Sequence, residues 1–232
     1  MGLSKYRAVI FDLGGTLMAT EPRSMVLAQA RCMAAAAGVP PDEFTRVWMD
    51  TVQMHIAASL GAFRTMQAYI ACACDQIGLH PADSQLDAAA AVAIDEVRRL
   101  LKVPRDGVAN VLEYLKSHGF KTGLITSCGP DVPPVWSEAP FAELVDTVLF
   151  SCVEGINKGE PRIFWLAAHR LRVRPEECLY VADGYGGELA NARFLGMRAV
   201  QLNVPGETEG FRNRDPWDGP VISSLTGVLE LL

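Results

Sequence analysis

Residues from about 20 to 102 read as helix after helix, yet they stand between the first strand of the chain and all the others. That placement narrows the possible folds. The helical stretch is rich in Ala and Met and poor in β-branched runs, whereas the remainder alternates short apolar segments with amphipathic ones. Alternation of that kind describes βαβ units and a parallel sheet. A helical insertion between strands one and two is the simplest way to combine both textures.

The helical stretch parses into four segments. Ser24 caps a first helix through Met25, Leu27, Ala30 and Cys32, stopped by Gly38. Asp42 precedes a second, with Phe44, Val47, Trp48, Val52 and Ile56 on one face and Gly61 at its end. Phe63, Met66, Ile70, Ala73 and Ile77 stripe a third, which ends at Gly78. Asp83 caps a fourth through Leu86, Ala90, Ile94, Val97 and Leu101. Strands are expected at Ala8–Asp12, Thr122–Thr126, Thr147–Phe150, Leu179–Asp183, Ala199–Leu202 and Val221–Ile222. Helices at Val108–His118, Arg162–Leu171 and Glu188–Leu195 supply right-handed crossovers. The predicted fold is α/β: a doubly wound parallel core formed by residues 1–18 and 103–232, with a small helical bundle at 19–102.

Bulk properties exclude several classes. Of 232 residues, 50% are hydrophobic and 21% charged, which is a globular composition. A net charge of −6 argues against nucleic-acid binding through phosphate neutralisation. The N-terminal residues lack the pattern of a signal peptide, and no apolar run is long enough to span a membrane. Six cysteines without Cys-x-x-Cys spacing read as reduced thiols and a cytoplasmic location. Cys72 and Cys74 have no neighbouring third ligand for a metal. Oligomeric state leaves no trace in the sequence.

Ligands of a doubly wound sheet bind at the carboxyl ends of its strands. Asp12 ends the first strand, followed by Gly14, Gly15 and Thr16; Thr126 and Ser127 end the second; Lys158 follows the third; Asp183 ends the fourth, with Glu188 shortly after. Two carboxylates can hold Mg²⁺, while a lysine and a hydroxyl neutralise phosphate oxygens, so the set suits phosphoryl transfer. Each residue has a plainer reading. The two glycines can make a tight turn, Thr126 can cap a helix, Lys158 can be a surface lysine, and Glu188 can favour a helix start through the dipole. His55 reads as a packed histidine, Trp48, Phe63 and Met66 as bundle core, and Cys128 as packing.

The order and spacing of these segments resemble the haloacid dehalogenase superfamily over residues 6–18 and 104–202. Phe11-Asp12-Leu13-Gly14-Gly15-Thr16 resembles its Asp-x-Asp-Gly-Thr motif. Gly155 to Phe164 resembles Gly-x-x-Lys-Pro-Asp-Pro-x-Ile-Phe, with Gly159-Glu160 in place of Pro-Asp, and Val181-Ala182-Asp183-Gly184 resembles Val-Gly-Asp-Ser. The resemblance implies that the helical insert is a cap and that Asp12 is a nucleophile forming an aspartyl-phosphate. It implies that Thr126 and Lys158 act on the phosphoryl group and that Gly15, Thr16 and Ser127 line its site. It also implies a Mg²⁺ ion held by Asp12, the carbonyl of Gly14 and Asp183, with Glu188 in the metal's surroundings. Arg23, just past the first motif, is the candidate to reach a small phosphorylated substrate from the hinge.

One departure matters most. The second Asp of the motif, the general acid and base of the phosphatases, is Gly14 here. The expectation is a Mg²⁺-dependent phosphohydrolase with three ways to lack that acid. It acts on good leaving groups such as acyl, diphosphate or aryl esters; or a cap residue, water or the substrate supplies the proton; or the reaction is not phosphate release. The alternatives are a 2-haloacid dehalogenase using Asp12 as ester nucleophile, and a binding protein that has lost turnover.

Overall fold

The computed structural model describes residues 5–207 and 214–232. Its six strands are β1 (Ala8–Phe11), β2 (Lys121–Thr126), β3 (Thr147–Phe150), β4 (Cys178–Ala182), β5 (Arg198–Leu202) and β6 (Val221–Ile222). They form one sheet in the order β3-β2-β1-β4-β5-β6, with every pairing parallel. The chain runs outward from β1 through β2 to β3, then returns to β4 on the other side of β1. The crevice between β1 and β4 is therefore the topological switch point, where side chains from two neighbouring strand ends can converge.

Among the described residues six α-helices separate β1 from β2: α1 (Arg23–Ala37), α2 (Pro41–Asp50), α3 (Val52–Ser59), α4 (Met66–Asp75) and α5 (Asp83–Leu101) of the helical stretch, then α6 (Val108–Ser117). Three more follow β2: α7 (Ser151–Glu154), α8 (Pro161–Leu171) and α9 (Glu188–Phe194). No helix of the described residues is long and apolar enough to cross a membrane.

Alternation along β1 divides the sheet's packing between two layers. Val9 and Phe11 join Val111, Leu112 and Leu115 of α6, while Ala8 and Ile10 join Ile163, Phe164 and Ala167 of α8. All four β1 residues are fully buried, which is the pattern of a central parallel strand covered on both faces. The helices of the insertion have a core of their own. Ala30, Ala34 and Ala37 of α1 meet Ala89, Ala90 and Ala93 of α5, with Met33, Phe44 and Ile70 filling the space around them. Small residues on both helices let their axes approach closely.

The helical stretch differs from expectation in its boundaries. The predicted second helix is two, because Thr51 leaves the helical region (φ −87°, ψ 75°) between α2 and α3. The apolar period runs through Thr51 without a gap, so the kink is not legible from it. Ser24 lies in the first turn of α1 after Pro22, Asp42 lies inside α2, and Asp83 is the first residue of α5 rather than its cap. At α5, Gln85 Oε1 accepts from the Ala82 amide at 2.9 Å instead. Thr65 caps α4 by accepting from the Ala68 amide, and Phe63 precedes the helix and stacks on Tyr69. The short helix α7 was not expected.

Candidate active site

The parallel register pairs Phe11 with Val181, so Asp12 and Asp183 leave β1 and β4 side by side. The backbone amide of Asp12 still donates to the Val181 carbonyl at 3.0 Å. Gly15 turns the chain beneath Asp183 with φ +76°, where a Cβ would sit 1.9 Å from Asp183 Oδ2. Only glycine allows the loop and that carboxylate to approach so closely. Gly14 is different: no atom lies within 4 Å of where its Cβ would be. The absence of an Asp there is not a steric requirement.

Arg105 holds this loop from behind. Its Nε donates to the Thr16 carbonyl and its Nη2 to the Gly15 carbonyl, each at 2.9 Å, and Nη2 pairs with Glu207 at 2.8 Å. Glu207 Oε1 also accepts from the Thr20 amide at 2.7 Å. Neither Arg105 nor Glu207 was a candidate from sequence, because partners so distant along the chain leave no local pattern.

Lys158 is the centre of the charge arrangement. Its Nζ donates to Asp12 Oδ1 and to Glu188 Oε2, both at 2.5 Å, and all three residues are buried. Its loop is tied at two points: the Lys158 amide donates to Ser127 Oγ at 3.3 Å, and Asn191 Nδ2 donates to the Lys158 carbonyl at 2.9 Å. Glu188 opens α9 and uses both oxygens. Oε1 accepts from the amides of Gly184 and Tyr185, and Oε2 accepts from the hydroxyl of Tyr180 at 2.7 Å as well as from Lys158. Glu188 therefore both begins α9 and bonds the buried lysine.

Burial raises the carboxyls of this cluster. Desolvation lifts Asp12 to about 6, Lys158 pulling it down and Glu188 pushing it up. Asp183 is lifted to about 8 by burial, then by the charges of Asp12 and Glu188. Burial alone would lower Lys158, but the two carboxylates it bonds raise it above its ordinary value, so it stays charged.

Thr126 and Ser127 line the same cleft of about 600 Å³ as Asp12, Gly14, Lys158 and Asp183. No helix starts at Thr126; the next helical turn begins at Pro133, so it is not a helix cap. Thr16 is fully buried and its hydroxyl faces Asp12 Oδ2 at 3.3 Å. Arg23 is an exposed first residue of α1 and does not line the cleft. Cys128 sits against Cys152 at 3.8 Å between sulfurs, which together with burial raises its thiol well above the ordinary value. That is an inert packed thiol. His55 departs from its expected place in the bundle interior. The break at Thr51 turns α3 so that His55, with Trp48 and Tyr69, lines the cleft facing Asp12.

A family model described as haloacid dehalogenase-like hydrolase matches residues 6–194. The chain belongs to the haloacid dehalogenase-like hydrolases. This hydrolase is 32% identical over 136 residues to a glyceraldehyde 3-phosphate phosphatase of Pyrococcus furiosus, across 57% of this chain and 55% of that one. It thus spans about half the length of the first curated relatives it matches. It is 28% identical over 210 residues to a phosphoglycolate phosphatase of Xylella fastidiosa, covering 84% of this chain and 79% of the relative. Among solved structures, a 2-haloacid dehalogenase from Pseudomonas syringae pv. Tomato superposes with a TM-score of 0.69 at 23% identity, covering 97% of each chain. A HAD phosphatase from Thermococcus onnurineus gives 0.64, also at 23% identity. Dehalogenases and phosphatases share the fold, so the shape alone does not choose between them.

The donor set of this hydrolase fits a divalent cation. One oxygen each from Asp12, Asp183 and Glu188 lie within 4.8 Å of one another. The side chain of Asp183 is 2% exposed and has no hydrogen-bond donor or ion pair among the described residues. A buried carboxylate without a donor is costly as an anion unless a cation neutralises it, and hard oxygen ligands suit Mg²⁺. Among the described residues no other group of His, Cys, Asp or Glu meets the same spacing, Cys72 and Cys74 included.

Proposed function

We propose that this hydrolase is a Mg²⁺-dependent phosphohydrolase of small phosphorylated compounds, acting through an aspartyl-phosphate on Asp12. The observation that carries the reading is the ion triplet of Asp12, Lys158 and Glu188 beside the undonated carboxylate of Asp183. Asp12 is the nucleophile: one carboxylate oxygen attacks phosphorus, the bond to the leaving oxygen breaks, and water then hydrolyses the acyl phosphate to restore the carboxylate. With its carboxyl at about 6, Asp12 is mostly ionised at neutral pH, as a nucleophile must be. Lys158 holds Asp12 in place and supplies positive charge for phosphoryl oxygens. Thr126 and Ser127 offer hydroxyls at the same cleft.

Asp12, Asp183 and the Gly14 carbonyl would hold Mg²⁺, and bound there it would supply charge stabilisation for the transferring group. Glu188, its oxygens engaged, positions Lys158 and the β4 loop. The haloacid reading is weaker: a carboxylate substrate would enter beside three acidic groups, and the lysine there is already held by two of them. Phosphate release from p-nitrophenyl phosphate that requires Mg²⁺, with no chloride from 2-chloropropionate, is the expected result. Metal-free chloride release would establish the dehalogenase instead. Binding of phosphate esters without any turnover would favour a protein that kept only the fold.

A thermal measurement tests the metal site without turnover. Asp183 titrates near 8 in the fold against an ordinary value of 3.8, so the folded protein binds the proton more tightly than the unfolded chain does. Its contribution to stability is present at low pH and is lost as pH rises through about 8. Mg²⁺ competes with that proton. The rise in Tm on adding Mg²⁺ is therefore expected to be larger at pH 9 than at pH 6, and to disappear in Asp183→Asn. An equal rise at both pH values, retained in the variant, would place the ion elsewhere.

A further inference from the structure

The helical side of the cleft is aromatic and carries no lysine or arginine among the described residues. Val26, Trp48, Met49, Ile56 and Tyr69 supply most of it, and Gln29, His55 and Ser59 supply its polar atoms. The rings are braced from behind. Tyr69 lies between Trp48, at 4.7 Å between centroids, and Phe63, at 5.0 Å; Trp48 in turn stacks on Phe44. Tyr69 also abuts the loop after β2, since its Cε1 would be 3.6 Å from a Cβ on Gly129. The aromatic wall and the Thr126-Ser127 loop are therefore neighbours.

The polar atoms of the rings are turned toward one another. His55 Nε2 contacts the Trp48 carbonyl, and the Tyr69 hydroxyl contacts His55 Nδ1. A carbonyl can only accept, so Nε2 carries a proton and donates to it. These contacts engage both ring nitrogens and the hydroxyl within the wall. Lys158 is the one lysine or arginine lining the cleft among the described residues, and Asp12 and Glu188 hold it. The remaining charge beyond the Asp12–Asp183 cluster is Asp131, a carboxylate with no ion pair among the described residues, bonded to backbone amides of its own turn. A second anion on the substrate would meet Asp131 and, among the described residues lining the cleft, no lysine or arginine besides Lys158.

Gly14 points the same way. With no carboxyl at that position, a leaving oxygen departs unprotonated unless another donor reaches it. A phenol has a pKa of about 10. An alkanol ionises near water, ~15.7. A phenolate thus needs far less help to leave. We infer that the substrate is a phosphate monoester of a ring-bearing hydroxyl compound, an aryl phosphate, rather than one whose leaving group carries a carboxylate. The inference rests on the phosphohydrolase reading and names the class of substrate for the same site.

The test compares kcat/KM for phenyl phosphate and 2-naphthyl phosphate with the carboxylate-bearing 2-phosphoglycolate and phosphoserine, all with Mg²⁺, and includes acetyl phosphate as a good leaving group without a ring. The aryl esters are expected to lead the charged esters by about tenfold or more. Ser59→Arg and Ile56→Lys each place a cation on the wall at positions that are not buried. Both are expected to lower the ratio of naphthyl phosphate to phosphoglycolate by about tenfold. Folding of each variant is checked by its melting curve, and either one carries the test. A charged ester leading in the wild type, or a ratio that neither variant moves, overturns the inference while leaving the phosphohydrolase standing. No release from acetyl phosphate or any ester overturns the phosphohydrolase reading and the inference with it.

Discussion

Asp12→Asn is expected to fold and to lose phosphate release by about 10⁴-fold or more, the scale on which removing a nucleophile acts. An amide neither attacks phosphorus nor forms an acyl phosphate. The substitution is nearly isosteric, so the loop that Arg105 clamps and the close approach of Gly15 to Asp183 stay as they are. Stability is the useful control. Asn removes one of two anions that Lys158 bonds, which costs stability, but also removes a carboxylate whose burial is unfavourable. The two effects oppose each other, and a melting temperature within a few degrees of wild type is the expected outcome. Phosphate release at more than a few per cent of wild type would remove Asp12 from the nucleophile's role. Substrate binding should survive the change, because the Thr126-Ser127 loop and Lys158 remain.

What the sequence reveals about this fold depends on how far apart the interacting residues lie. The strands were legible to within a residue at their ends because each is a short apolar run bounded by turn residues, and Thr147–Phe150 matched without change. The convergence of Asp12, Lys158, Asp183 and Glu188 was also legible, since a parallel sheet gathers its strand ends on one edge. The kink at Thr51 was not, because an apolar stripe from Val47 to Ile56 keeps its period whether or not the helix breaks between them. That hidden break moved His55 from the bundle interior to the cleft. The Arg105–Glu207 clamp and the Tyr180 hydroxyl on Glu188 were invisible for another reason. An arginine after Pro104 and a tyrosine within a strand have many ordinary uses, and only the folded distances select these. Cap boundaries failed where a neighbouring residue could serve equally: Pro22 and Ala82 took the positions that Ser24 and Asp83 could have filled.

Gly14→Asp is expected to raise kcat on alkyl phosphates by about 10²-fold or more, within the range that general acid–base help supplies. Space is not an obstacle, since nothing lies within 4 Å of the Cβ position and Gly14 does not need a positive φ. The local charge favours the required protonation state. A new carboxyl entering beside Asp12, Asp183 and Glu188 meets the anionic cluster in which burial, then the charges of Asp12 and Glu188, raises Asp183 to about 8. Like charge should raise its pKa too and keep a fraction of it protonated near neutral pH, as a general acid must be. The gain should be selective. An alkoxide needs the proton, whereas a phenolate leaves without it, so phenyl phosphate should gain much less than an alkyl ester. The ratio of aryl to alkyl turnover is therefore the decisive quantity. If it falls, position 14 is where proton transfer is missing, and the preference for good leaving groups follows from one absent carboxyl. If both esters gain equally, the variant acts through the metal site or the loop instead. If neither gains, the leaving oxygen already has a donor, and the Tyr69–His55 pair across the cleft is the first place to look for it.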